Sequence, residues 1–292
     1  MTTKAWLKKH TSSLTGKRIA LFGSTGGLGQ ALARHILALG GALIMIDRNQ
    51  EKAATAEACL RAEFPDAQIC RLSADLSDMD TVRALCDELM TAPPDAIIHN
   101  AGAYHIPRKI CKTGYDNIFE INFAAPYYVT RTLLPLLRAK GSRIVAVGSI
   151  AHNYAKTDPA DVDFRSRTKH SLAYGNAKRH LTYALFALQK EYPDLHVAVT
   201  HPGISSTGIT AHYPKWIYAI IKYPMKWIFM KPRRASLSIL YGLFTDTAPN
   251  EWIGPSLFSV WGSPKKKPLR TADTEETARI AAVAEKIYEE RA

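Results

Sequence analysis

The chain has 292 residues, of which 47% are hydrophobic and 22% are charged, values typical of a globular protein and unlike those of a disordered one. Its 38 lysines and arginines outnumber its 26 aspartates and glutamates, and the resulting net charge of +12 favours anionic partners. No zinc-finger or RNA-recognition spacing accompanies the basic residues, so we expect no nucleic-acid partner.

The cysteines and the hydropathy pattern indicate the cellular compartment. Cys59, Cys70, Cys86 and Cys111 form no C-x-x-C pair, so the sequence predicts neither a metal site nor a disulfide framework. The longest apolar stretch, at residues 216–230, is interrupted by lysines and a proline and is too short to span a membrane. We therefore expect a cytoplasmic protein.

Short apolar runs alternate with segments of helical spacing from residue 18 to residue 201. The runs lie at residues 19–22, 42–46, 68–72, 96–99, 143–147 and 196–200, and the helical segments between them include 28–39, 50–63, 79–90 and 172–191. Runs that are apolar throughout are typical of strands buried on both faces of a parallel sheet. The alternation predicts a doubly wound α/β fold of the Rossmann type, with about seven strands flanked by helices.

The strand order and the two ends of the chain complete the predicted fold. We expect the order 3-2-1-4-5-6 with a seventh strand near residues 257–260, all within a single domain at residues 16–292. Residues 1–15 contain three lysines and are predicted to form a basic extension of that domain. The tail at residues 273–291 has apolar side chains at helical spacing and predicts a helix packed on one face.

A glycine-rich loop follows the first predicted strand and leads into a helix. Its glycines have the spacing G-x-x-x-G-x-G, which allows backbone amides at a helix N-terminus to approach a pyrophosphate. Its position between a strand and a helix distinguishes a dinucleotide-binding loop from an ordinary turn. The sequence therefore predicts that Gly23, Ser24, Gly27, Leu28 and Gly29 bind a dinucleotide cofactor.

Two residues at the end of the second strand favour different cofactors. The carboxylate of Asp47 can accept hydrogen bonds from the adenosine ribose hydroxyls and would repel a 2′-phosphate. The guanidinium of Arg48 can pair with that same phosphate. We expect both residues to contact the cofactor, with NAD favoured because the carboxylate occupies the ribose position, and NADP as the alternative.

Tyr174 and Lys178 lie four residues apart, on one face of a predicted helix. The fifth strand ends at Ser149 before this helix, and the sixth leads into Pro202 and Gly203 after it. Because the carboxyl ends of parallel strands border the ligand crevice, both strand ends should lie beside the cofactor. The spacing and its context together predict a catalytic pair.

These motifs resemble those of the short-chain dehydrogenase/reductase family over nearly the whole chain. Besides the glycine loop, the matching residues are Asp75 and Leu76, Asn100-Ala101-Gly102, Asn122, Ser149, Tyr174, Lys178, Pro202, Gly203 and Thr207. The chain is most similar to the retinol-dehydrogenase and WW-domain-oxidoreductase branch, through residues 151–172, 230–236 and 261–264. It departs from the usual pattern at Phe22, at His99 and at Asp47.

The resemblance implies an NAD(P)-dependent oxidoreductase acting on a lipophilic secondary or allylic alcohol, such as a steroid or retinoid. Tyr174 would be the general acid/base, and Lys178 would lower its pKa and hold the nicotinamide ribose. Ser149 would orient the substrate oxygen, and Asn122 would hold a water in a proton relay. Cofactor contacts are implied for Asp75, Leu76, Asn100, Ala101, Gly102, Tyr174, Lys178, Pro202, Gly203 and Thr207.

The segment at residues 208–234 is rich in aromatic residues and lysines and should cover the substrate pocket. A peripheral membrane contact through residues 213–234 is a second interpretation. The resemblance is also compatible with a homodimer or homotetramer. The alternative function is a non-catalytic, nucleotide-binding regulatory protein of the same fold, which would have no need of all four catalytic residues.

Overall fold

A computed structural model describes residues 2–203, 230–269 and 273–291 and contains one eight-stranded sheet. Its strands are β1 (Arg18–Phe22), β2 (Ala42–Asp47), β3 (Ile69–Ser73), β4 (Ala96–His99), β5 (Arg143–Val147), β6 (His196–Thr200), β7 (Glu251–Leu257) and β8 (Trp261–Pro268). They are arranged in the order β3-β2-β1-β4-β5-β6-β7-β8. All neighbours are parallel except β7 and β8, which form an antiparallel hairpin at one edge.

Helices cover both faces of the sheet. They are α1 (Thr3–His10), α2 (Gly27–Ala38), α3 (Gln50–Glu63), α4 (Met79–Thr91), α5 (Asn117–Phe119), α6 (Ala125–Lys140), α7 (His170–Glu191), α8 (Pro232–Tyr241) and α9 (Thr274–Glu289). Helices α4, α6, α7 and α9 share one core with Ala20 and Phe22 of β1. Helices α2 and α8 share the other with Ile19 and Leu21. Alternate residues of one strand thus enter opposite cores, which explains why the run is apolar throughout.

The predicted doubly wound α/β fold and the order of the first six strands are confirmed. The predicted position of the seventh strand is wrong, since β7 ends at Leu257 and residues 258–260 form the turn of the hairpin. Phe258 and Ser259 adopt φ angles of 50° and 57°, in the left-handed region that strands do not use. An apolar turn was therefore mistaken for a strand.

The eighth strand was not predicted at all. Its sequence, WGSPKKKP, has the prolines and lysines of a loop. An edge strand tolerates both residue types because one side of it needs no ladder hydrogen bonds. The position at the edge of the sheet, which the sequence does not reveal, makes this segment a strand.

Both ends of the chain pack on the domain. In the N-terminal segment, α1 buries Trp6 edge-on against Tyr241 of α8, with ring centroids 5.5 Å apart. The tail forms α9 as predicted, with Ile280 and Ile287 buried. Within the described ranges, no helix combines the length and the hydropathy needed to cross a bilayer. Thr207 and residues 208–229 of the predicted lid lie outside the described residues.

Candidate active site

The predicted site residues in the described ranges lie where the parallel strands end and on α7. Gly23 follows β1, Asp47 ends β2, and Asn100 follows β4. Ser149 follows β5, while Pro202 and Gly203 lie two and three residues after the end of β6. Parallel strands place their carboxyl ends at one edge of a sheet, so these residues border a common crevice.

At Gly23 and Gly29 the backbone leaves too little space for a Cβ atom, so only glycine fits there. Gly23 has a φ of 75°, and a Cβ atom on it would lie 2.9 Å from Cα of Ala101. A Cβ atom on Gly29 would lie 2.0 Å from the carbonyl oxygen of Gly23. Helix α2 begins directly after Gly26, which provides no side-chain cap for the first amides. The cradle and the uncapped amides fit the pyrophosphate of a dinucleotide.

Asn100 connects this loop to β4. Its Nδ2 atom donates to the carbonyl oxygens of Phe22 and Gly23, at 3.2 and 2.9 Å. The rings of Phe22 and His99 pack with centroids 5.1 Å apart, so two departures from the family pattern contact each other. Burial lowers the pKa of His99 to about 3, and its Nε2 atom lies 2.9 Å from the hydroxyl of Thr130.

Asp47 is buried and is hydrogen-bonded to the glycine loop. Its carboxylate accepts from the Ser24 hydroxyl and from both the amide and the hydroxyl of Thr25, the latter two at 3.1 and 2.9 Å. Arg48, in contrast, has 67% of its side chain exposed, and its Nη1 atom lies 3.7 Å from a carboxylate oxygen of Asp75. The end of β2 therefore presents a cation to the crevice, while the carboxylate stabilises the loop.

Tyr174 is half-buried near the start of α7. Burial raises the pKa of Tyr174 to about 12, although the side chain of Ser149 opposes the rise. The ring of Tyr104 packs edge-on against it, with centroids 5.1 Å apart. Ser149 is itself positioned by the 3₁₀ turn at Ile150–Asn153, because its Oγ atom accepts from the Ala151 amide at 3.2 Å.

Lys178 is buried one helical turn further along α7. Its ammonium donates to the carbonyl oxygen of Val147 at 2.9 Å and lies 5.8 Å from the centroid of the Tyr174 ring. Burial lowers the pKa of Lys178 to about 8. The family resemblance implies that this lysine lowers the pKa of Tyr174. The pKa of Tyr174 is instead raised, because desolvation of the phenol outweighs the other influences.

Asn122 lies in a π-helical turn, Glu120–Ala124, a rare geometry often found at functional sites. Its Nδ2 atom donates to the carbonyl oxygens of Ala103 and Ile118, at 2.7 and 2.8 Å. A Cβ atom on Gly102 would lie 2.8 Å from Oδ1 of Asn122 and 3.6 Å from Nζ of Lys178. The glycine thus permits the carboxamide and the ammonium to approach each other.

A buried ion pair that the sequence does not predict lies beside Tyr174 and Lys178, between α7 and α9. Arg179 and Glu276 are 2% and 1% exposed, and their closest charged atoms are 2.6 Å apart. Glu276 also accepts from the amide and hydroxyl of Thr157, both at 3.0 Å, and Arg179 donates to the carbonyl oxygen of His152 at 2.8 Å. The pair joins α7 and α9 to the segment after Ser149. No motif marks either residue, since Glu276 lies 97 positions away along the chain.

Comparisons with known proteins show the family to which the chain belongs. The family model for short chain dehydrogenases matches residues 17–217. Mouse retinol dehydrogenase 14 is 32% identical over 214 residues, which cover 68% of this chain and 64% of that relative. Mouse polyprenol dehydrogenase is 27% identical over 240 residues, or 77% of this chain and 71% of the relative. A crystal structure of an uncharacterized protein from Mycobacterium paratuberculosis has a TM-score of 0.77, with 24% identity and 95% of each chain covered.

Proposed function

The chain belongs to the short chain dehydrogenase family, whose members are NAD(P)-dependent oxidoreductases, and on that premise we propose that it interconverts a lipophilic secondary or allylic alcohol and its carbonyl. The observation that carries the proposal is the position of the Tyr174 phenol between the Ser149 side chain, which lowers its pKa, and the buried ammonium of Lys178, 5.8 Å from the centroid of its ring. A phenol held in this way can exchange a proton with a substrate oxygen while a hydride moves at the adjacent carbon.

The substrate class is inferred from the relatives and from the surroundings of Tyr174. Retinol and polyprenols, named in two relatives, are lipophilic alcohols. The ring of Tyr104 packs against Tyr174, and an exposed Tyr154 follows Ser149 by five residues. Aromatic walls favour a steroid- or retinoid-like substrate over a small hydroxy acid.

The residues at the strand ends fit a nicotinamide dinucleotide, which when bound supplies or accepts the hydride. The loop from Gly23 to Gly29 would hold its pyrophosphate, and Lys178 its nicotinamide ribose. Ser149 would orient the substrate oxygen, and Tyr174 would donate a proton to that oxygen in reduction and accept it in oxidation. Asn122 would hold a water that connects Lys178 to solvent.

Tyr174 is the proton donor in the direction of carbonyl reduction. With its pKa raised to about 12 by burial, Tyr174 retains its proton at neutral pH and can act as an acid. Oxidation requires the phenolate, which positive charge from Lys178 and from an oxidised nicotinamide would stabilise.

A spectrophotometric screen tests the proposed function directly. Oxidation of NADPH and NADH is followed at their absorbance band with retinoid, steroid and polyprenyl carbonyls, and with a small ketoacid as the comparison substrate. We expect turnover with a lipophilic carbonyl and little with the ketoacid. Cofactor binding without turnover on any of these compounds would support the regulatory alternative.

The cofactor preference is inferred from the ends of β2 and β3. Because the Asp47 carboxylate is buried and accepts three hydrogen bonds from the glycine loop, it is poorly placed to bind the ribose hydroxyls. Arg48 is exposed beside Asp75 and can pair with a 2′-phosphate. These contacts weaken the expectation of NAD and favour NADP. A homodimer or homotetramer and the membrane contact through residues 213–234 stay predictions.

Replacing Arg48 tests this preference. Arg48→Ala should raise the Kd for NADPH by about tenfold or more, because a charge-assisted hydrogen bond is lost, and should leave the Kd for NADH nearly unchanged. Fluorescence titration measures both constants. Lys52→Ala, which removes an exposed cation on α3, is the matched control. An equal loss for both cofactors in the Arg48 variant would contradict the assignment.

The pH profile tests the role of Lys178. We expect kcat/KM for reduction to be constant near neutral pH and to fall as the pH rises through about 8, because the ammonium loses its charge there while Tyr174 keeps its proton. Initial rates across neutral and alkaline pH measure it. Lys178→Arg, which stays charged, should lower the rate but abolish the fall. If kcat/KM of this variant still falls as the pH rises through about 8, the titrating group is not Lys178.

A further inference from the structure

The β7–β8 hairpin exposes a cluster of large apolar side chains at its turn. Phe258 is 88% exposed, and Leu257 and Trp261 are also exposed. These are three of the seven exposed large hydrophobic residues in the described part of the chain, and they lie within five positions of one another. Phe258 and Ser259 hold left-handed backbone conformations, which cost free energy in residues other than glycine. The turn thus displays apolar groups in a defined conformation.

Cations surround this hairpin tip, which we define as residues 257–261. Lys265 and Lys266 are exposed on β8, and Nζ of Lys267 lies 3.4 Å from the hydroxyl oxygen of Ser259. The first turn of α8 and the residue before it add the exposed side chains of Lys231, Arg233 and Arg234. Among the described residues, none of these six cations forms an ion pair with a carboxylate.

The start of α8 lies beside the hairpin tip. A Cβ atom on Gly203 would lie 2.5 Å from the carbonyl oxygen of Val260 and 2.7 Å from Cε of Met230. Met230, which precedes Lys231, and Val260 of the hairpin tip therefore both lie next to Gly203. This glycine follows β6, so the cations and the apolar tip lie toward the edge of the sheet that carries the candidate active site.

The edge strand itself is unsuited to pairing with a second copy of the chain. Pro264 and Pro268 lack the amide hydrogens that a continued ladder would need. Lys265, Lys266 and Lys267 would also face the same lysines of the other copy at close range. A binding partner that has negatively charged groups at its surface and an apolar interior suits the lysines and the apolar tip of the hairpin better.

We propose that the hairpin tip docks the protein on an anionic lipid surface. Phe258 and its apolar neighbours would enter the boundary between headgroups and acyl chains, and the lysines and arginines around them would meet the anionic headgroups. The lysine stems can extend along the hairpin and keep their charges at the headgroup level. This docking goes beyond the proposed oxidoreductase activity and does not depend on it.

Co-sedimentation with vesicles tests the proposal. The full chain is mixed with vesicles of phosphatidylcholine alone or with added phosphatidylserine, at low and at high salt. We expect binding to the vesicles that contain phosphatidylserine, and weaker binding at high salt because the charges are screened. No binding to these vesicles at low salt would overturn the proposal, as would equal binding to both compositions.

Variants assign the binding to the hairpin. Phe258→Ser should weaken it by about tenfold or more, and Lys265→Glu with Lys266→Glu by at least about fivefold per lysine. The controls are Ile110→Ser, at another exposed apolar residue, and Lys52→Glu with Lys190→Glu, on α3 and α7. Losses as large in the controls would overturn the assignment. Circular dichroism verifies that each variant is folded.

A self-associating tip would give a different result. In that case Phe258→Ser would change the mass measured by light scattering in the absence of lipid, and vesicle binding would be unaffected. This outcome would replace the lipid surface with a second copy of the chain. Unchanged mass together with reduced vesicle binding is the result that supports docking on lipid.

Discussion

Tyr174→Phe is expected to lower the turnover of carbonyl reduction by about 10³-fold, because the general acid is removed while the ring and its packing remain. The affinity for NADPH should stay close to that of the unmodified protein, since the ribose and pyrophosphate would be held by other groups. Single-turnover rates and a fluorescence titration measure the two quantities separately. Folding should be unaffected, because the ring still packs against Tyr104.

Tyr104→Phe is the matched control for this experiment. It removes a second hydroxyl next to the same ring, yet it leaves the edge-on contact of the two rings in place. We expect its turnover to fall far less than that of Tyr174→Phe, because the hydroxyl of Tyr104 is not the group that exchanges a proton with the substrate. A Tyr174→Phe variant that retained most of its activity would refute the role of Tyr174, and equal losses in both variants would point to the packing of the rings instead.

Arg179→Met is expected to lower the free energy of unfolding by about 3–5 kcal/mol, because it leaves the carboxylate of Glu276 buried without its charged partner. Unfolding by urea, followed by circular dichroism, measures this loss. Thr157 and His152 also lose the position that the ion pair gives them. Since these two residues follow Ser149 closely, we expect kcat/KM to fall as well.

Helix α9, which contains Glu276, offers a matched control for the buried pair. Arg279 and Glu275 form an ion pair on α9, but their side chains are 43% and 84% exposed. Arg279→Met should therefore change stability by less than about 1 kcal/mol. Similar losses in the two arginine variants would show that removal of an arginine, and not loss of the buried pair, determines the effect.

The pH dependence of stability follows from the same pair. Burial alone would raise the pKa of Glu276, but hydrogen bonds from Arg179 and Thr157 outweigh it and lower the pKa from 4.5 to about 2. Because the folded-state pKa is the lower one, the carboxylate stabilises the protein above pH 4.5, and this contribution is lost as the pH falls toward 2. The acid-induced loss should be smaller in Glu276→Gln.

The predicted elements differ in how well the sequence defined them. Strands β1, β2, β4, β5 and β6 were predictable because strands buried on both faces need apolar residues at nearly every position. The hairpin of β7 and β8 was not, because an exposed edge strand accepts lysine and proline, and because the aromatic turn at Phe258 has the composition of a strand.

In the candidate site, too, some features were predictable from the sequence and others were not. The glycine loop and the spacing of Tyr174 and Lys178 are local patterns, so the chain itself determined that they would lie near the ends of parallel strands. Burial and hydrogen-bond partners depend on residues distant in the chain. Only the tertiary structure could therefore decide that desolvation raises the pKa of Tyr174 and that Asp47 binds the glycine loop. For the same reason, only the folded protein brings Glu276 from the tail to Arg179. Both charges are buried there, so each destabilises the protein if the other is removed.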